Sequence, residues 1–204
     1  MATRKHRQKH WHADLSPVDI ELLQESADLK DRHVGSRCFI LGAGSSIKEQ
    51  DIGKLKGEFV LSVSNTFVHP DFKLIKPQYH VLSPNLRCHG NLQTEEEFVI
   101  WLREMESAVG NAEMVMHIGD RGMVERNGLF RNRIIHWVEF TDKWDESFDT
   151  PIDLAALPPI WSVSELALSV AIYMGFERIY MVGFDHDWFN GLFVYFFDHT
   201  KEFS

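Results

Sequence analysis

The sequence predicts an α/β fold of Rossmann-like type, a mostly parallel sheet with helices on both faces. Three observations predict it. Apolar runs too short for helices, such as Cys38 to Leu41 and Phe59 to Ser64, alternate with stretches of helical period, the grammar of βαβ units. These runs stop at glycine or small polar residues. The first continues as Gly42-Ala-Gly-Ser-Ser-Ile47, which reads as strand, tight turn and helix start in immediate succession.

Taken in order, residues 1–15 form a basic tail carrying Arg4, Lys5, His6, Arg7, Lys9 and His10, and residues 16–204 form a single nucleotide-binding domain. Ser16-Pro17 opens a helix, with serine as N-cap, proline where its missing N–H costs nothing, and Asp19 and Glu21 in the first turn. Ile20, Leu23 and Ala27 share one side, and the helix ends near Asp31, before Gly35. After the glycine turn, Ile47 to Leu55 is a short helix or turn with Ile47, Ile52 and Leu55 inward. Phe59 to Ser64 is a second strand ending at Asn65, and Gln78 to Leu82 a third ending at Ser83-Pro84-Asn85.

Thr94 with Glu97 three residues on is a capping-box pattern, opening a helix through Phe98, Ile100, Trp101 and Met105 to about Val109. Met114 to Ile118 and Arg133 to Phe140 read as strands, with a short helix or loop over 121–127. Residues 141–161 show no clean period, and a stretch this long acts as a lid, a binding loop or a disordered segment. Ser162 or Ser164 then caps an apolar helix, Leu166 to Met174, closed by Gly175. Arg178 to Val182 is a further buried strand, followed by Gly183-Phe184-Asp185 and a tail containing Tyr195-Phe-Phe-Asp198-His199.

Composition bounds the function classes. The chain has 204 residues, 44% hydrophobic and 25% charged, enough for one domain with a sizeable core. A net charge of -9 argues against general nucleic-acid binding, which needs a basic face. The basic tail suits contact with anionic lipid or an acidic partner, or is simply solvated. Two cysteines, Cys38 and Cys88, make no disulfide framework and fit a reducing compartment. No run is long and apolar enough for a span or a signal peptide. The expected location is the cytoplasm, with the basic tail available to the inner face of the membrane.

Ligands of open parallel sheets bind beyond the carboxyl ends of the strands. The candidate nucleotide-binding residues are therefore Gly42, Ala43, Gly44, Ser45, Ser46, Asn65, Ser83 and Asn85. Ser45 or Ser46 can cap the next helix and leave backbone N–H groups pointing outward for a phosphate. The turn lacks the third glycine of the dinucleotide fingerprint and the Gly-Lys-Ser/Thr of a P-loop, and such a turn also serves connectivity alone.

Gly42-Ala-Gly-Ser-Ser-Ile47, the Asn65-Thr-Phe67 and Ser83-Pro84-Asn85 strand ends, the hydroxyl-to-apolar-helix block from Ser162 to Asp185, and Tyr195-Phe-Phe-Asp198 occur in an order that resembles the bacterial sialyltransferases using CMP-activated sugars. They are also similar to the related flagellin-glycosylating motility accessory factors. The resemblance runs from Arg32 to the C-terminus. It implies a glycosyltransferase that moves a sialic-acid-like sugar from a CMP donor to a surface glycan precursor. Tyr195 would meet the donor phosphate, and Ser162 and Ser164 the donor sugar. Ser45 replaces the family's proline, Ala43 stands where an amide residue meets the nucleotide, and Ile160 stands where an arginine meets the sugar carboxylate.

The acceptor hydroxyl needs a base, most simply histidine near neutral pH. His199 and His186 flank the site, while His80, His117 and His136 lie within strands and read as core or edge residues. Asp185 orients the donor or a histidine, or caps the following turn. No cofactor is expected, because the related enzymes are metal-independent. The implied partners are a nucleotide-sugar and a glycan acceptor, with an oligomer left open. Two other readings compete: a Mg²⁺- and ATP-dependent diphosphotransferase acting on a pterin-like alcohol, and a non-catalytic glycan-binding relative.

Overall fold

In a computed structural model, which describes residues 15–84, 94–141, 151–185 and 195–196, the apolar runs pair side by side into one parallel sheet. Strands β1 (Arg37–Leu41), β2 (Phe59–Val63), β3 (Tyr79–Val81), β4 (Glu113–His117), β5 (Ile135–Val138) and β6 (Arg178–Val182) lie in the order β5-β4-β3-β2-β1-β6. Every pairing among them is parallel. Because the chain steps outward from β1 through β5 and then returns to place β6 on β1's other side, β1 and β6 flank the point where the strand order reverses. Crevices form at such a point.

Side chains alternate across the pleat and so supply two cores. Cys38, Ile40, Leu61, Val81, Val115 and Val138 pack under helix α5 (Val163–Tyr173) on one face. On the other face Met114, Met116 and Trp137 meet helices α3 (Glu95–Ala108) and α4 (Arg121–Arg126), while Leu41 and Val60 meet Ile47, Ile52, Leu55 and Ile75. Ile75 belongs to the single-turn helix α2 (Phe72–Ile75). The expected caps form: Ser16, Thr94 and Ser162 each make a capping box, with Asp19, Glu97 and Glu165. Among the described residues no helix is long and apolar enough to cross a membrane.

Two expectations are corrected, for α1 and β6, and the long segment after β5 is described in part. Helix α1 (Pro17–Glu25) gives way to a 3-10 turn over Ser26–Leu29. The tighter winding changes the period, so Leu23, Ser26 and Leu29 go inward while Ala27 is exposed and Ile20 is 46% exposed. Strand β6 is not buried. It is an edge strand in which Tyr180 and Met181 are 43% and 42% exposed, and its composition alone cannot separate edge from centre. The segment over 141–161 is not free along its length. Glu139 N donates to Leu154 O at 3.0 Å, Leu157 N to Glu139 O at 2.9 Å, and Leu154 and Leu157 are core residues. Residues 142–150 lie outside the described residues.

Candidate functional site

The carboxyl end of β1 leads into the glycine turn, and the turn is built against the end of β6. Gly42 N donates to Val182 O and Gly44 N to Gly183 O, each at 2.8 Å. A Cβ on Gly42 would lie 2.5 Å from the Gly183 carbonyl oxygen, and one on Gly44 would lie 2.5 Å from Asp185 Oδ2. Both glycines are therefore required by the close approach of the Gly183-Phe184-Asp185 turn. Gly183 itself has φ of +74°, and a Cβ there would meet Ile47 at 2.5 Å. It is a third necessary glycine, one that the sequence presents only as a strand end.

Asp185 is the acceptor at the centre of this junction. Its Oδ2 takes the Ser46 amide at 2.8 Å and the Ser45 hydroxyl at 3.3 Å, and its Oδ1 takes the Ser46 hydroxyl. Burial works to raise its pKa, but the bonds from Ser46 and Ser45 outweigh burial and hold it below the usual carboxylate range. The expectation of outward-pointing amides is corrected here. The Ser46 N–H that would have received a phosphate is given to an internal anion. The segment after the turn is a five-residue 3-10 helix, Ser45–Glu49, with Gly44 rather than a serine at its N-cap.

Tyr195 and Phe196 cross the glycine turn. Tyr195 forms an antiparallel bridge with Gly44, and Phe196 N donates to Ala43 O at 3.2 Å. The Phe196 ring reaches His69, with centroids 5.2 Å apart, and packs on the core around Leu41 and Ile47. His69 was not singled out from the sequence, although His69-Pro70-Asp71 carries a turn signal just beyond the second strand. Burial lowers its pKa, and its Nδ1 accepts the Asp71 amide at 3.1 Å. With Nδ1 accepting, the neutral tautomer of this ring carries its proton on Nε2.

Beyond β2, Asn65 is 9% exposed and its Oδ1 accepts Trp101 Nε1 at 2.5 Å. Tryptophan can only donate, which settles the amide's orientation and directs Nδ2 away from the indole. Ser83, at the end of β3, is half-buried. At the head of α5 the Ser162 hydroxyl accepts Glu165 N at 3.3 Å and lies 2.7 Å from the Ser164 hydroxyl. Ser162 is thus committed to capping.

The structure brings Gly42, Ala43, Gly44, Ser45, Ser46, Asp185 and Tyr195 together. Asn65, Ser83 and the Ser162–Ser164 pair stand at the same end of the sheet, but on three separate elements. Asn85, His186 and His199 lie outside the described residues. The strand histidines fit the core and edge reading: His80, His117 and His136 are 0%, 5% and 5% exposed. His80 Nδ1 is 2.7 Å from the Ser62 hydroxyl, and burial pushes its pKa down to about 3. His117 Nδ1 accepts Gly119 N at 3.0 Å, so its Nε2 donates to Glu139 at 3.0 Å. Among the described residues no group of three or more His, Cys, Asp or Glu is arranged to hold a metal ion. Cys38 is a buried free thiol pushed up to about 12. No protein-family model matches the chain, and no curated protein matches it in sequence.

Proposed function

We propose that the chain is a glycosyltransferase that binds a CMP-activated sugar at the β1–β6 junction and transfers the sugar to a glycan hydroxyl. The observation that supports this reading is the passage of Tyr195 across Gly44 at the point where the strand order reverses. A hydroxyl on that segment can donate to the phosphate as the bond from the anomeric carbon to the CMP oxygen breaks, and stabilisation of developing charge is usually the largest catalytic contribution. Asn65 Nδ2 and Ser83 would read the nucleoside. The acceptor's proton would fall to His199 or His186. In this reading the protein works in the cytoplasm, with Arg4, Lys5, Arg7 and Lys9 drawing it to an anionic membrane face.

The test is a thermal-shift series with CMP, CDP, UDP, GDP and ATP, each with and without Mg²⁺. Saturation at a hundredfold excess over Kd adds about 2.7 kcal/mol of stability, or about 5–10 °C for a chain of this size. A metal-independent shift confined to cytidine nucleotides is the expected result. No shift with any cytidine nucleotide at millimolar concentration refutes the reading, and a Mg²⁺-dependent ATP shift transfers support to a diphosphotransferase. One observation favours a second reading, a non-catalytic relative: Asp185 already fills the anion position at Ser46. Slow hydrolysis of a CMP-sugar separates the two, since a binding module would leave the donor intact.

A further inference from the structure

A cavity of about 430 Å³ opens between α1 and the segment joining α4 to β5. That segment enters β5 at its amino end, so the cavity faces away from the glycine turn. Its walls are apolar, with Leu22 of α1 on one side and Ile135 and Trp137 of β5 on the other. Its volume lies within the range of small-molecule pockets.

The charges at its mouth are unlike those of the chain as a whole. Arg131 and Arg133 both line it, in a chain of net charge -9. Among the described residues neither has a carboxylate partner. Arg133 donates to the Glu106 carbonyl at 2.6 Å. The Arg131 guanidinium lies against Gly128, where a Cβ would come within 2.6 Å of Nη2 and 2.8 Å of Cζ. Among the described residues the acidic lining residue is Glu125, paired with Arg121 at 2.8 Å. Phe130, the residue immediately before Arg131, has φ of 53°. A phenylalanine in the left-handed region is strained, and it is held by a bond from its N–H to Glu106 Oε1 at 2.7 Å. Backbone strain of this kind clusters at ligand clamps.

We propose that this cavity is a ligand site for a small amphipathic anion, a flat apolar body bearing a phosphate or carboxylate group. The apolar part would lie against Leu22 and Trp137, and the anion would meet Arg131 and Arg133, whose planar guanidinium groups suit either oxyanion. The site is separate from the nucleotide site proposed above and does not depend on it.

The test is calorimetric titration of the full chain with 1-naphthyl phosphate, 1-naphthoate and neutral 1-naphthalenemethanol. The two anions should bind and the alcohol should bind at least about tenfold more weakly, the scale of a hydrogen bond to a charged group. Tighter binding of the phosphate assigns the site to phosphorylated ligands, and tighter binding of the carboxylate assigns it to acids. Arg131→Glu, at an exposed position that leaves the fold intact, should weaken both anions by on the order of tenfold or more. Leu22→Trp, which pushes an indole into the apolar end of the cavity, should weaken binding of both anions while circular dichroism stays unchanged. Equal binding of the neutral alcohol, unchanged affinity in Arg131→Glu, displacement of the probes by CMP, or no binding of either anion at millimolar concentration would each overturn the proposal.

Discussion

Removing the Asp185 carboxylate should loosen the junction between β1 and β6. A hydrogen bond to a charged group is worth about 1.5–3 kcal/mol, and Asp185 accepts from the Ser46 amide and from both serine hydroxyls. Those donors share one anion that is partly exposed, so their contributions do not add and solvent screens part of them. Asp185→Ala should therefore cost about 2 kcal/mol, or about 4–8 °C in Tm for a chain of this length. Asp185→Asn keeps an acceptor for the Ser46 amide and should cost about half as much. The pH dependence is a second signature. Because the folded pKa lies below the ordinary value, the contribution is complete above about pH 4 and is lost as pH falls through the folded value. Urea denaturation of the wild type and both variants, at neutral pH and across the acid range, measures each quantity. A neutral-pH loss under about 0.5 kcal/mol for Asp185→Ala, or an unchanged acid limb in Asp185→Asn, would refute the assignment of Asp185 as the anion that closes the glycine turn.

Three further outcomes follow from the same geometry. Gly42→Ala should destabilise by about 1–3 kcal/mol in urea denaturation, because its Cβ would lie 2.5 Å from a backbone oxygen that cannot move aside easily. His80, held neutral with its pKa pushed down to about 3, takes up its proton only on unfolding. Stability should fall as pH drops below about 6.5, by about 2 kcal/mol at pH 5, and His80→Gln should flatten that slope. Trp101→Phe removes the donor to Asn65 Oδ1 and should cost about 1 kcal/mol. If Asn65 reads the nucleoside, the same substitution should also weaken CMP binding in a direct titration, although the indole is turned toward Asn65 Oδ1.

The order of the strands and of the capped helices was legible before any coordinates, and for local reasons, whereas the single-turn helix α2 carries no such signal and was not expected. Ser16, Thr94 and Ser162 announce helices because a cap satisfies amides within three residues of itself. The strands are short apolar runs cut off by glycine or polar residues, and alternation with helices makes their parallel pairing nearly obligatory. The strand ends Gly42 to Ser46, Asn65 and Asp185 were legible as positions in the sequence, while Tyr195 entered only through the resemblance.

What those residues do to one another was not legible, because it depends on which strand lies beside β1. Only the placement of β6 there sets Asp185 over Ser46 and makes Gly42, Gly44 and Gly183 glycines of close approach. The exposure of Tyr180 and Met181, the pairing of Asn65 with Trp101 and the arginine-rimmed cavity beside α1 likewise arise between segments far apart in sequence. The sequence by itself determined the fold class and the order of the strands and of the capped helices. The tertiary structure decided which hydrogen-bonding groups at the carboxyl end of the sheet are spent on one another, because a donor's partner is fixed by distance in space rather than along the chain.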